Sequence, residues 1–429
     1  MSELSELPGL PDLSELISFA RANSPFYREF YAGLPQDAGL EELPIVDHTA
    51  FWAANTLDDN QLITAEHRDG LIFKTGGSTG APRVSFYTNE EWLTMSRTFG
   101  AGLAQAGLRP GDRVANLFYA GELYSSFVFT LNTLQESTVP AVQLPIAGGA
   151  SPEYITQAVL DFGVTVLSAP PTSLCTLARH VIDTIGTLPT VRLALFSGEA
   201  CYPDQQALLR RAFPGIEVRS IGYASVDAGI LAGPVLDDED PRVHQVFTPD
   251  KLVEILDPET GEPIEDVGRP GRVVATDLVR RLMPVIRYPV GDLAEWVDFP
   301  SRRLRLLGRA DEGARVGPVT VYLDDLRGMV SATDTDGVVS GMQVVLRHHD
   351  ERDRLILRLV GQAADPDGFA TALAARLDST RPMFADHVAR SLIHPLTVEW
   401  IEADALLVNP RTGKLIRLLD ERAAPETTV

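Results

Sequence analysis

TVPAVQLPIAGGASPEYITQAVLDFGVTVLSA, residues 138–169, carries the pattern that decides the fold. TVPAVQL (138–144) reads as a strand. PEYITQAVLDF (152–162) reads as a helix opened by Pro152 behind the cap Ser151, and VTVLSA (164–169) as a second strand. Strand, helix and strand joined by short connections imply parallel strands with helices on the faces of the sheet. The alternation extends outward from about residue 85 to 222. DRVANLF (112–118), VRLALFS (191–197) and IEVRSIGY (216–223) are further strands. Residues 124–134, SLCTLARHVIDTI (173–185) and PDQQALLRRAF (203–213) are further helices.

After Gly222 the texture changes. HQVF (244–247), LVEIL (252–256), GRVVATDL (271–278) and RRLRLLG (302–308) are short strand-like runs separated by Pro, Gly and Asp, the mark of an antiparallel or barrel-like subdomain. From about Arg309 a new unit begins, with MQVVLRH, RLILRLV, the helix candidate DGFATALAARLDS and LTVEWI. It is a small α+β unit of a size that folds alone. Ahead of all this, Leu13, Leu16, Ile17 and Ala20 stand at helical spacing in a segment of about 12–32. The expected fold class is α/β. A large N-terminal domain (1–308) of parallel-rich βα layers carries a barrel-like subdomain at about 230–308, and a small α+β domain (309–429) follows.

The 429 residues exceed one ordinary core. Hydrophobic residues make up 45% and charged residues 22%, a globular balance. Lys+Arg 37 against Asp+Glu 59 gives a net charge of −22, which disfavours nucleic acid as a partner. Cys175 and Cys201 make neither a disulfide framework nor a metal-ligand spacing. The acidic N-terminus lacks the basic start of a signal peptide, and no apolar run is long enough to span a bilayer. A cytoplasmic enzyme without a membrane partner is expected.

FKTGGSTGAPRVSFYT (73–88) places Gly76, Gly77 and Gly80 among Thr75, Ser78 and Thr79 after the strand candidate LIFKT. Glycines let a backbone approach a ligand closely, and successive N–H groups with hydroxyls beside them make a nest for a polyphosphate. A surface turn with no ligand is the bland reading of the same residues. The Walker spacing is absent.

Other segments answer the loop in order: FSGEACYPDQ (196–205), IGYASVDAG (221–229), PVIRYPVGDLAEW (284–296), LGRADEG (307–313) and VNPRTGKLIR (408–417). With them the chain resembles the adenylate-forming superfamily of acyl-CoA synthetases, adenylation domains and luciferases. Within it the chain resembles the phenylacetate-CoA ligase family, which SPFYREFY (24–31), residues 142–174 and PVIRYPVGDL also suggest. The resemblance spans nearly the whole chain.

It implies a mobile C-terminal domain over the active site, and activation of a carboxylic acid by ATP to an acyl-AMP with release of pyrophosphate. Thr75 to Gly80 would hold the β- and γ-phosphates. Ser197, Gly198, Glu199 and Ala200 would line the adenine pocket, with Gly222, Ala224 and Ser225 also on the nucleotide. Tyr223 would stack on the adenine. Asp292 would accept from the ribose hydroxyls, and Arg309 would lie near ribose and phosphate. Lys414 would bridge carboxylate and α-phosphate and offset the charge of the transition state. Asp227 would bind Mg²⁺, and Asp311 would be the hinge. The acid, small and aromatic by this resemblance, would enter a pocket drawn from Phe118, Tyr119, Ala120, Gly121, Glu122, Tyr124, Ile146, Ala147, Gly148 and Gly149. The second step would use CoA, a carrier-protein thiol or an amine, and a homodimer stays open. A catalytically silent nucleotide-binding homologue is the alternative class.

Four departures from the family's pattern stand out. Tyr-Gly-x-Ser/Thr-Glu is here YASVD (223–227), so the acid is the shorter aspartate and Val226 lacks a hydroxyl. The lysine that closes the glycine loop is Arg83, a planar fork rather than a point charge. In GARVGPVTVYLDDL (313–326) the family's glycine falls at Pro318, which fixes φ and removes an N–H and so weakens the case for CoA. Glu122 stands at the start of the acyl pocket, where it faces solvent or pairs with a substrate group.

Overall fold

The structure, a computed structural model, describes residues 13–74, 83–309, 313–317, 319–350, 352–410 and 412–422. The expected phosphate loop Thr75–Gly80, the hinge Asp311 and Pro318 lie outside the described residues.

Five parallel strands form the first sheet, in the order Val142–Pro145, Arg113–Asn116, Val166–Ala169, Leu193–Phe196, Glu217–Ser220. Val166–Ala169 and Leu193–Phe196 are buried at every position, as strands covered on both faces must be. The crossover helices are Ser126–Gln135, Pro152–Phe162, Pro171–Thr184 and Pro203–Ala212. Ser151 caps the second: its hydroxyl oxygen accepts from Tyr154 N–H at 3.3 Å, Pro152 follows in the first turn, and Gly163 closes the helix in the left-handed region. Ile155 and Val159 of that helix pack with Leu167, Leu174 and Ala194.

IEVRSIGY is not one strand. Glu217–Ser220 ends in the parallel sheet, and Tyr223–Ser225 starts a second, seven-stranded sheet. In that sheet every pairing is antiparallel, and the strands run in the order Lys251–Leu256, Gly271–Asp277, Val285–Asp298, Arg303–Arg309, Val243–Val246, Gly229–Pro234, Tyr223–Ser225. The N-terminal segment packs on it as two helices, Leu13–Asn23 and Pro25–Phe30. The break falls at Ser24, which caps the second helix ahead of Pro25. Leu16, Ile17, Tyr27 and Tyr31 share a core with Val285, Tyr288 and Trp296.

LIFKT joins neither sheet. Leu71–Lys74 pairs antiparallel with Val84–Tyr87, Lys74 opposite Val84. The last unit holds a hairpin, Gly313–Val316 with Val319–Tyr322, and a four-stranded sheet in the order Thr397–Ile401, Arg352–Val360, Gly341–His349, Leu418–Asp420. Its apolar cluster, from Ala314 to Leu418, draws on no residue of the first two sheets. Arg309, expected to open this unit, is the last residue of the antiparallel sheet and pairs with Asp292.

Candidate active site

The strand Leu193–Phe196 ends beside Ser197 and Gly198. Gly198 has φ +83°, and a Cβ there would stand 2.6 Å from Lys414 Cε and 2.9 Å from Nζ. Lys414, from the C-terminal unit, therefore lies across bare backbone. Its Nζ is 5.8 Å from the centroid of the Tyr124 ring, a cation–π distance. A tight turn presents the lysine: Gly413 N–H donates to Asn409 O, and Asn409 N–H donates to Lys414 O, both at 2.8 Å. Gly413 has φ +65°, and a Cβ there would meet the Tyr119 ring at 1.8 Å. Tyr119 is thus wedged between Gly413 and Gly148, whose own Cβ would stand 2.4 Å from the same ring.

Glu199, expected near the adenine, engages both oxygens elsewhere. Oε2 accepts from Thr172 N–H at 3.0 Å and from its hydroxyl at 2.8 Å, at the N-terminus of the helix Pro171–Thr184, where a carboxylate is favoured. Oε1 accepts from the Leu415 N–H, the amide next after Lys414. Around this clamp the contact between the units is polar. Arg327 pairs with Asp204, their side chains only 4% and 8% exposed. Arg417 donates to Asp324 Oδ1 at 2.6 Å and to the Tyr202 hydroxyl at 3.0 Å, and Tyr202 donates to the same Asp324 oxygen at 2.7 Å. Arg179 donates to Ser340 O and Oγ at 2.9 and 2.8 Å.

A second group of residues sits on the antiparallel sheet. Register places Asp292 opposite Arg309. Arg309 donates to Asp292 Oδ1 at 3.2 Å, and the Tyr223 hydroxyl donates to Oδ2 at 2.6 Å. Burial raises the Asp292 pKa, while Arg309 and then the Tyr223 hydroxyl pull it down. Burial, and next the Asp292 charge, push the Tyr223 phenol well above its ordinary value, so it donates and does not ionise. The Tyr223 ring is buried at 6% and lies 6.3 Å from His244. Burial lowers the His244 pKa to about 4.

Asp227 is buried, only 8% exposed. Its Oδ2 accepts from the Tyr288 hydroxyl at 2.8 Å and lies 3.5 Å from Arg83, and its Oδ1 accepts from Ala228 N–H at 3.2 Å. Among the described residues no three His, Cys, Asp or Glu side chains cluster to hold a metal. A single carboxylate of this kind fits Mg²⁺ that arrives with phosphates, not a resident ion. Arg83, the departure from lysine, already balances part of the Asp227 charge, with its guanidinium 5.6 Å from the Trp52 ring.

Between Lys414 and the core lies an open cavity of about 110 Å³. Its wall is aromatic: Phe73, Trp92, Phe99, Phe118, Tyr124 and Phe129. Ser125, Ser126, Thr130, Ser197, Ser225 and Lys414 supply polar side chains, and Gly198 and Ala224 also line it. Of the expected acyl pocket, Phe118 and Tyr124 line the cavity. Ala120, Gly121, Glu122 and Gly149 are exposed and outside its lining. Glu122 stands in a left-handed turn with Leu123 (φ 48° and 61°), and solvent is the surrounding that fits an acid there. Ile146 packs on the parallel-sheet core, and Ala147 N–H donates to Asn116 O at 2.9 Å. Ala200 is exposed and Gly222 buried, and neither lines the cavity. The wall that sequence reading missed comes from Trp92, Met95 and Phe99 in the helix Asn89–Ala101. Their spacing of three and four is a helical apolar face, and that signal was available.

Residues 65–277 match the family model described as AMP-binding enzyme. A phenylacetate-coenzyme A ligase from Thermus thermophilus is 25% identical over 395 residues, covering 89% of this chain and 86% of that protein. Among solved structures, 2-hydroxyisobutyryl-CoA ligase in the postadenylation state, in complex with 2-HIB-AMP, superposes with a TM-score of 0.74 at 19% identity over 96% of this chain and 88% of that one. The same enzyme with 2-HIB-AMP and CoA in the thioesterification state gives 0.63 at 20% identity, with the same coverage. The fold and the matched family define an enzyme of the adenylate-forming, AMP-binding class. Within that class the chain is phenylacetate-CoA ligase-like, an AMP-forming ligase. Among the described residues no helix is long and apolar enough to cross a membrane.

Proposed function

We propose that this chain activates a small aryl carboxylic acid with ATP and passes the acyl group to the thiol of CoA. In the first step a carboxylate oxygen bonds to the α-phosphorus and the bond to the β-phosphate breaks, releasing pyrophosphate. In the second the thiol sulfur bonds to the acyl carbon, the bond to the phosphate oxygen breaks, AMP leaves and the thiol proton passes to solvent. The observation that carries the reading is the Lys414 side chain laid across Gly198 at the rim of an aromatic cavity. There a fixed cation meets the carboxylate and the α-phosphate together, and its charge counts for more than in water.

Tyr223 and Asp292 take the nucleoside in this reading, Asp292 accepting from ribose hydroxyls, and Arg309 lies beside ribose and phosphate. Ser197, Gly198, Ala224 and Ser225 border the nucleotide, and Thr75 to Gly80 cradle its outer phosphates. Asp227 would hold Mg²⁺, which neutralises phosphate charge when bound. Glu199 acts through Lys414, as the clamp on its turn. The polar contact between the units suits a C-terminal unit that docks for the first step and turns away for the second. The greater likeness to the postadenylation than to the thioesterification state supports a docked arrangement here.

The test is pyrophosphate release by purified protein over a panel of aryl and alkyl acids, with and without CoA. Release that depends on an aryl acid, with acyl-CoA formed when CoA is present, is expected. Release without any acid, or AMP formed with no acyl product, would contradict the proposal.

A further inference from the structure

Several polar groups on the cavity wall are already matched within the protein. The Tyr87 hydroxyl donates to Val226 O at 2.9 Å. The Trp92 indole N–H donates to Asn132 Oδ1 at 2.8 Å. Ser225 Oγ accepts from Ala228 N–H at 3.0 Å. Among the described residues no such bond is seen for the lining hydroxyls of Ser125, Ser197, Ser126 and Thr130, and the last two share a helix face. They stand four apart in the helix Ser126–Gln135, on one face with Phe129, and all three line the cavity. Thr130 is 2% exposed, and its hydroxyl has no protein partner among the described residues. The Thr130 hydroxyl is not one of the fully buried atoms left without a partner, so it opens onto the cavity, where a ligand or water can meet it.

Position adds to this. Lys414 meets Gly198 and Tyr124 at one side of the cavity. Phe129, next to Thr130, packs against Phe99 and Trp92, which also line the cavity, with ring centroids 4.9 and 5.8 Å apart. One helical turn, about 6 Å, carries the wall from Ser126 to Thr130. An acid held by its carboxylate at Lys414 would share with Thr130 the cavity that both line. Among the described lining residues Lys414 is the only ionised group, so a second charge on the substrate would be buried without a counter-ion.

Resting on the aryl-acid reading above, we infer that the substrate carries a neutral hydrogen-bonding substituent, a hydroxyl or aromatic amine, on the ring away from its carboxylate. Thr130 reads it, with Ser126 as the second hydroxyl. A site built to hydrogen-bond a substituent disfavours the analogue that lacks it.

The experiment compares kcat/KM for pyrophosphate release with benzoic acid and its 3- and 4-hydroxy, 3- and 4-amino, and 3- and 4-methyl derivatives. The wild type is expected to favour at least one hydroxy or amino acid over its methyl counterpart by about tenfold, the value of one good neutral hydrogen bond. Thr130→Val keeps shape and removes the hydroxyl, and should bring that ratio close to one; Ser126→Ala should lower it less. The wild-type ratio stands even if a variant fails to fold. A methyl acid used as well as its hydroxy and amino counterparts by the wild type would overturn the inference. So would a ratio unchanged in both variants. Silence across the panel, benzoic acid included, would instead overturn the aryl-acid reading itself, and this inference with it.

Discussion

Where the parallel sheet meets the antiparallel one, Val114, Leu193 and Leu195 pack with Ile221 and Ile230, and Phe99 and Phe247 close the layer. Where the C-terminal unit meets those sheets, the contacts include Arg327 with Asp204, Arg417 and Asp324 with Tyr202, Arg179 with Ser340, and Glu199 with the Leu415 amide. Among the described residues no apolar cluster spans that second seam. The difference teaches which seam suits a moving part. Apolar surface, once buried, is costly to uncover. Ion pairs and hydrogen bonds exchange with water at small net cost. The catalytic lysine of the proposal stands on the exchangeable side, and its aromatic cavity on the fixed side.

Breaking the fixed seam should have the largest effect. Leu195 is fully buried, and Leu195→Ala is expected to cost about 2–5 kcal/mol of stability, read by chemical denaturation, with both half-reactions lost together as protein unfolds. Next comes the lysine. Lys414→Ala should slow acyl-AMP formation by about 10²–10³-fold, while transfer from preformed acyl-AMP to CoA stays near the wild-type rate. Equal losses in both would remove Lys414 from the first step. Arg327→Met leaves Asp204 buried without its cation, which costs about 3 kcal/mol or more. Scattering should show a more extended protein, and acyl-AMP formation should fall by about 100-fold. An unchanged radius with unchanged rate would break the comparison.

Finer variants sharpen it. Glu199→Ala frees the Leu415 amide and should lower kcat for acyl-AMP formation about tenfold, the scale of one hydrogen bond to a charged group. KM for ATP should hold, which separates a clamp on the lysine turn from a wall of the adenine pocket. Asp227→Asn should give the smallest effect, a few-fold rise in the Mg²⁺ needed for half-maximal rate, since one carboxylate with phosphates and water suffices for that ion. An unchanged Mg²⁺ titration would take Asp227 off the metal.

The parallel sheet was legible because its signals are local. Pro152 behind Ser151 opens a helix wherever that helix packs, and VLSA and LALF are apolar at nearly every position because helices cover both faces. LIFKT was legible as a strand, and Leu71–Lys74 is one, but its neighbour was not. Its partner strand lies beyond the glycine loop, and only the pairing of Lys74 with Val84 shows that it belongs to a separate antiparallel pair rather than to the sheet. IEVRSIGY hides a change of sheet, because both halves are extended and the alternation of side chains does not say which neighbour each half finds. The order of the motifs brought Lys414, Gly198, Tyr223, Asp292 and Arg309 into view, and the structure gathers them into two groups, one around Gly198 and one around Asp292. The clamp by Glu199 was out of reach, since its partners Thr172 and Leu415 are 27 and 216 residues away. The acyl wall was within reach: Trp92, Met95 and Phe99 recur at helical spacing in a segment whose period had only to be read.

The most direct measurement of the two-seam account is amide hydrogen exchange at Leu415, whose N–H donates to Glu199, against exchange at Leu193 and Leu195 in the fixed layer. The account predicts that Leu415 gains protection when a non-reactive acyl-AMP analogue is bound and loses it when CoA is added, while Leu193 and Leu195 stay protected throughout. Leu415 exchanging in step with Leu193 and Leu195 in every state would contradict it.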